Sequence, residues 1–201
     1  MTKVRIGIDV MGGDFAPSAT IKGSVLALDN LADGIEIVLI GNQNQITDEL
    51  KKQQVDKSAF SIVNAPDIIE MGDHPTKAFV QKPKSSIAVG FGLLKQGKID
   101  GFASAGNTGA MFVGGYMSVK PIPGILRPCI SSVLPKLDGG VNVILDVGAN
   151  ADCKADVLYQ FGILGSLFAE HVCGVQTPRV GLLNIGAVSY THLTLPTMEL
   201  V

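Results

Sequence analysis

Tryptophan is absent from this chain, and aromatic residues make up only 5% of it. Little is therefore available for stacking on nucleic-acid bases. Charge is scarce as well: 17% of residues are charged, and a formal net charge of -2 gives no general attraction to nucleic acid or anionic lipid. The three cysteines, Cys129, Cys153 and Cys173, are an odd number without framework spacing, which fits a reducing cytosol better than secretion. No uninterrupted apolar run reaches bilayer length, which argues against a spanning helix. Residues 1–5 lead straight into a strand pattern, so no signal peptide is expected. The expectation is a soluble, cytoplasmic protein, with attachment to a membrane surface left open.

Missing motifs narrow the chemistry further. No G-x-x-x-x-G-K-[ST] loop and no G-x-G-x-x-G turn occurs, so nucleotide binding has no positive support. A serine hydrolase would want a G-x-S-x-G elbow, which is missing. His74, His171 and His192 lie far apart, and no Cys/His pair has metal-ligand spacing. Metal binding therefore has as little support as nucleotide binding.

What is present is an apolar fraction of 46%, enough for a well-packed core in a 201-residue chain. Short β-branched runs alternate with helical patterns. Strands are expected at 4–10, 35–40, 60–63, 99–103, 130–134, 141–145 and 180–183. Helices are expected at 17–31, 45–54, from the Ser85-Ser86 cap to Gly97, at 111–119 and at about 155–171. Residues 64–84, with Pro66, Pro75 and Pro83, read as irregular, and Asp138-Gly139-Gly140 reads as a hairpin turn. The alternation predicts an α/β fold, a largely parallel open sheet with helices on both faces. One such domain is expected over 1–186. Residues 187–201 lose all continuity and are read as a non-native read-through tail, so His192 carries no functional weight.

Sheets of this kind bind ligands at the carboxyl ends of their strands. Four polar, Gly-containing turns fall there: 9–14, 104–110, 146–150 and 184–186. The central one is Ser104-Ala105-Gly106-Asn107-Thr108-Gly109-Ala110, a strand turning into a helix whose first N–H groups are unpaired and favour an anion. The turns add carboxamides (Asn107, Asn150, Asn184) and carboxylates (Asp9, Asp14, Asp146), with Lys82 and Arg127 as cations. Such equipment suits phosphate positioning and charge stabilisation at an acyl or phosphoryl centre. Plainer readings stay open: Asp9 and Asp14 as turn formers, Lys77, Lys82 and Lys84 as a solvated face, and His74 as a loop residue.

Six blocks occur in order: Ile8-Asp9-Val10-Met11-Gly12-Gly13-Asp14, Ser85-Ser86, Ser104 to Ala110, Arg127-Pro128, Leu145-Asp146-Val147-Gly148-Ala149-Asn150, and Gly181-Leu182-Leu183-Asn184-Ile185-Gly186. Together they resemble the PlsX family, the acyl-acyl-carrier-protein:phosphate acyltransferases of bacterial phospholipid synthesis. The resemblance runs from about residue 4 to 186. It implies that acyl-acyl carrier protein and inorganic phosphate give acyl phosphate and free carrier protein. It also implies a three-layer sandwich like the phosphate acetyltransferase and isopropylmalate dehydrogenase group, a homodimer, and no cofactor.

On that footing Asn107, Asn150 and Lys82 are the expected catalytic residues. Asp9, Gly12, Gly13, Asp14, Ser104, Gly106, Thr108, Gly109, Arg127, Asp146, Gly148 and Asn184 are the expected phosphate and substrate contacts. Two departures stand out: Val80 replaces the arginine of the family's A-x-R-x-K segment, and Ala187 begins the foreign tail. Family members continue well past Gly186, so this chain is expected to lack later strands, part of the active-site cleft, much of the dimer contact and a membrane-touching element, and to be inactive or poorly behaved alone. Three alternatives remain: a related acetyl- or butyryl-coenzyme A:phosphate transferase, a fragment that binds carrier protein without turnover, and an acyl-cysteine route.

Overall fold

The run Ile35 to Ile40 alternates sides within a sheet, and that alternation organises the first part of the chain. In the computed structural model, which describes residues 3–150 and 152–183, this strand (β2, Ile35–Gly41) is an inner strand of a four-stranded parallel sheet. Its partners are β1 (Val4–Asp9) on one side and β3 (Ser61–Asn64) on the other, and the fourth strand, β4 (Gly101–Ala103), pairs with β1. The order is β3-β2-β1-β4. Ile37 and Leu39 bury against one cluster, with Ile21, Ile46 and Leu50 from helices α1 (Ser18–Leu28) and α2 (Gln43–Lys52). Val38 and Ile40 bury on the opposite face with Ile99, where Val89 and Leu93 of a later helix pack. Helices thus cover both faces, as the alternating pattern predicts.

The chain goes from β1 outward to β2 and β3, then returns through α3 (Pro75–Gln81) and α4 (Ser86–Lys95) to place β4 on the other side of β1. The strand order therefore reverses between β1 and β4. Helix α5 (Thr108–Gly114) follows β4 and runs on as a π turn over Gly115–Val119.

Asparagine and serine caps set several boundaries. Asn42 accepts from the N–H groups of Asn44 and Gln45, starting α2 two residues before the expected position. Ser85 caps α4 by accepting from Ala88 N–H, as expected. Helix α3 lies inside the stretch read as irregular, because Pro75 opens the helix at its first turn, where a missing N–H costs nothing.

The described residues form two compact units, divided after Pro121. In the second, β5 (Ser131–Pro135) and β6 (Val141–Leu145) form the expected antiparallel hairpin. Helix α6 (Ala155–His171) packs on it, with Gly165 close to the Leu145 side chain. Val180 to Leu183, expected as the last strand, form no strand, and Val180, Leu182 and Leu183 are exposed. An apolar run without a ladder partner has nothing to hold it extended. The turn at 184–186 lies outside the described residues.

Candidate active site

The reversal point between β1 and β4 is where an open α/β sheet forms its ligand crevice, because the loops from adjacent strands leave there in opposite directions. Both loops are held by one network. Asp9, at the end of β1, is 2% exposed. Its Oδ1 accepts from Met11 N–H at 2.9 Å and its Oδ2 accepts from the Ser104 hydroxyl at 2.6 Å. Ser104 Oγ in turn accepts from Gly106 N–H at 3.0 Å. A buried carboxylate is stable only with such donors, so each turn supplies what the other needs.

Gly12 lies against this network. A Cβ placed there would stand 2.6 Å from Gly106 N, 2.7 Å from Asp9 Oδ2 and 2.8 Å from Ser104 Oγ. Only hydrogen fits, so Gly12 is what lets the two turns touch. Asp9, Gly12, Ser104 and Gly106 are thus brought together, with Gly13 packing near Ala105. Asp14 is exposed, as is Thr108. Thr108 and Gly109 open α5, where their N–H groups have no intrahelical partner.

Asn107 takes a different place from the one its residue type suggests. It is 5% exposed, and its Oδ1 caps α5 by accepting from Ala110 N–H at 2.9 Å. Its Nδ2 donates to the main-chain carbonyls of Glu70, Met71 and Asp73 at 3.0, 3.3 and 3.1 Å. The carboxamide offered to an oxyanion by sequence reasoning is therefore engaged in tethering a loop. Lys82 is similar: its Nζ donates to Ile68 O at 2.8 Å and pairs with Asp73 Oδ2 at 2.6 Å. Sequence reasoning missed Asp73, whose bonds to Lys82 nine residues on and to Asn107 34 residues on follow no local pattern.

In the second unit, Asp146 Oδ1 accepts from Ile130 N–H at 2.8 Å, and Oδ2 accepts from Asn150 N–H and Nδ2 at 2.6 and 3.0 Å. Asn150 Nδ2 also donates to Pro128 O, so these two residues close the Gly148 turn on the segment that leads into β5. Arg127 is exposed and donates to Asp152 O at 3.2 Å. Cys129 has its thiol pushed up by burial, then by the nearby Asp146 carboxylate and Cys153, which keeps it protonated and a poor nucleophile. Asn184 lies outside the described residues. Among the described residues no helix is long and apolar enough to cross a membrane.

A family profile described as "Fatty acid synthesis protein" matches residues 4–197. The chain is 43% identical over 183 residues to a phosphate acyltransferase of Dictyoglomus thermophilum, covering 91% of this chain and 54% of the relative. It is 45% identical over 183 residues to a phosphate acyltransferase of Halothermothrix orenii, with the same two coverages of 91% and 54%. The chain thus spans about half the length of the curated relatives it matches. Among solved structures, a phosphotransacetylase from Streptococcus pyogenes aligns with a TM-score of 0.67 at 16% identity, over 86% of this chain and 55% of that one. The EutD phosphotransacetylase from Staphylococcus aureus aligns with a TM-score of 0.58 at 17% identity, over 83% and 53%. At those identities the likeness is one of fold, and it agrees with the sheet described above. The sequence matches carry the assignment further: this chain belongs to the fatty acid synthesis protein family, the PlsX family that its six blocks resemble.

Proposed function

We propose that the whole protein transfers an acyl group from a thioester to inorganic phosphate, and that this chain supplies its phosphate-holding wall. The observation that carries the reading is the Asp9–Ser104–Gly106 network, which joins two Gly-rich turns at the reversal point of the sheet. The N–H groups of Thr108 and Gly109, with those of the two turns other than Met11 and Gly106, whose N–H groups the network uses, hold the phosphate. The buried Asp9 side chain spends its oxygens on the Met11 N–H and the Ser104 hydroxyl, holding the two turns together. A phosphate oxygen attacks the thioester carbonyl, the C–O bond forms, and the oxyanion takes main-chain N–H donors. The C–S bond then breaks, and the thiolate leaves and takes a proton from water. In the second unit, taken by itself, Asp146 and Asn150 hold the Gly148 turn closed.

The donor is a fatty acyl chain on acyl carrier protein, and the product feeds phosphatidic acid synthesis. The working form is a cytoplasmic homodimer with peripheral membrane contact through the part of the protein beyond this chain. The relatives' shared name and the family's description support acyl transfer to phosphate within fatty acid synthesis, and the carrier-protein donor, the homodimer and the membrane contact rest on the resemblance of the six blocks. The test is acyl phosphate formation by the full-length protein with acyl carrier protein and coenzyme A thioesters compared at equal concentration. Phosphate-dependent product with the carrier-protein donor is expected. Product with the coenzyme A donor alone would overturn the donor, and no phosphate-dependent product with either would overturn the reading.

A further inference from the structure

Asn107 and Lys82, which sequence reasoning singled out for chemistry, converge on one short loop. Asp73 is at its centre. Its Oδ2 accepts from Lys82 Nζ at 2.6 Å and from Glu70 N–H at 2.9 Å, its carbonyl accepts from Asn107 Nδ2 at 3.1 Å, and its N–H donates to Glu70 O at 3.1 Å. Three more bonds complete the clasp, Lys82 Nζ to Ile68 O and Asn107 Nδ2 to Glu70 O and Met71 O. A further contact lies two residues on. Pro75, at the start of α3, packs so closely on Gly109 that a Cβ there would stand 2.4 Å from the proline ring. Loop 68–75 therefore touches α5 at its cap and again at its first turn.

The Asp73 and Lys82 side chains are 31% and 35% exposed. An ion pair about a third exposed contributes only about 0–1 kcal/mol to stability. Its effect on geometry is larger, because the Asp73 carboxylate fixes the loop whose carbonyls orient the Asn107 amide, and Asn107 Oδ1 fixes where α5 begins. A cap displaced by a fraction of an ångström re-aims the N–H groups of Thr108 and Gly109.

We propose that Asp73 is a positioning residue for the phosphate subsite, acting through Asn107 with Lys82 as its counter-charge. This rests on the reading that the α5 turn holds phosphate. In the full-length protein, Asp73→Asn keeps the shape and removes the charge. It should raise the phosphate KM about tenfold, the loss of roughly one charge-assisted hydrogen bond, with kcat within about twofold. Asp73→Glu should recover part of that loss. Lys82→Met should raise KM similarly, and the double variant should be no worse than the poorer single one, because both act on one device.

An unchanged phosphate KM in Asp73→Asn, or fully multiplicative effects in the double variant, would overturn the proposal. The same proteins are read by amide exchange at Ala110, whose N–H depends on the Asn107 cap. Faster exchange in Asp73→Asn, with an unchanged melting temperature, supports the clasp, and unchanged exchange overturns it. If wild-type protein makes no acyl phosphate, the functional reading fails and Ala110 exchange alone decides about Asp73.

Discussion

Replacing Gly12 by alanine tests whether the two Gly-rich turns must touch to form the wall. The added methyl would lie 2.6 Å from a main-chain nitrogen, Gly106 N, where ordinary contact begins at about 3.5 Å. It would also press on Asp9 Oδ2 and Ser104 Oγ, at 2.7 and 2.8 Å, and neither is the free end of a flexible side chain. These two atoms are bound to each other at 2.6 Å, so relief requires the β1 and β4 turns to part and the Ser104–Asp9 bond to stretch. Overpacking of this kind costs about 1–3 kcal/mol. Leaving a buried carboxylate oxygen short of a donor costs about another 1–3 kcal/mol. The expected total, roughly 2–5 kcal/mol, is a large share of the 5–15 kcal/mol typical of a domain. The assay is urea denaturation, reading the midpoint at constant slope. Gly23→Ala is the control: it lies within α1 with nothing inside 4 Å of the new methyl, and should gain about 0.5–1 kcal/mol. In the full-length protein, Gly12→Ala should also raise the phosphate KM. A Gly12→Ala midpoint equal to wild type, with unchanged phosphate KM, would refute the reasoning.

Asn107→Ala removes a helix cap and three loop tethers together and should cost more than the ~1 kcal/mol of an ordinary cap, measured by the same urea titration. Acidification should destabilise the fold. Glu36 is held below the usual carboxylate range by the Ser61 hydroxyl and Lys3, Asp73 by Lys82 and Glu70 N–H, and Asp100 by Arg5. Depressed folded-state values give stability that is present above the unfolded pKa and is lost as pH falls through the folded one. The urea midpoint should therefore drop between about pH 5 and pH 2, and a flat profile would contradict it. Cys129 should react slowly with iodoacetamide at neutral pH, and the full-length protein with Cys129, Cys153 and Cys173 all changed to serine should keep its acyl-phosphate activity. Trapping of an acyl-cysteine would count against direct attack by phosphate.

Much of the sheet is legible in the sequence because strands buried on both faces appear as continuous apolar runs, as at Ile35 to Ile40. Strand order is not written locally, yet the polar turns after β1 and β4 mark the two strands whose ends meet. Helix α3 is hidden because Pro75 reads as a breaker in the chain and acts as a helix starter in the structure. β4 starts at Gly101, later than its apolar run, because Arg5 holds Gly97 O and the Asp100 carboxylate just before it. The site is legible in residue types but not in partners. Nothing near Asn107 in sequence reveals carbonyls 34 to 37 residues away, and nothing near Lys82 reveals Asp73 nine residues before it. Those bonds hold the Asn107 and Lys82 side chains on the loop at 68–73.

The claim that phosphate is the acyl acceptor is tested most directly by isotope. Full-length protein is incubated with a fatty acyl thioester of carrier protein and phosphate labelled in all its oxygens, and the acyl phosphate is analysed by mass spectrometry against thiol release. Direct attack predicts acyl phosphate retaining every labelled oxygen, with one thiol freed per product. Thiol release with unlabelled free fatty acid and no acyl phosphate would contradict it, leaving a thioester hydrolase in place of a transferase.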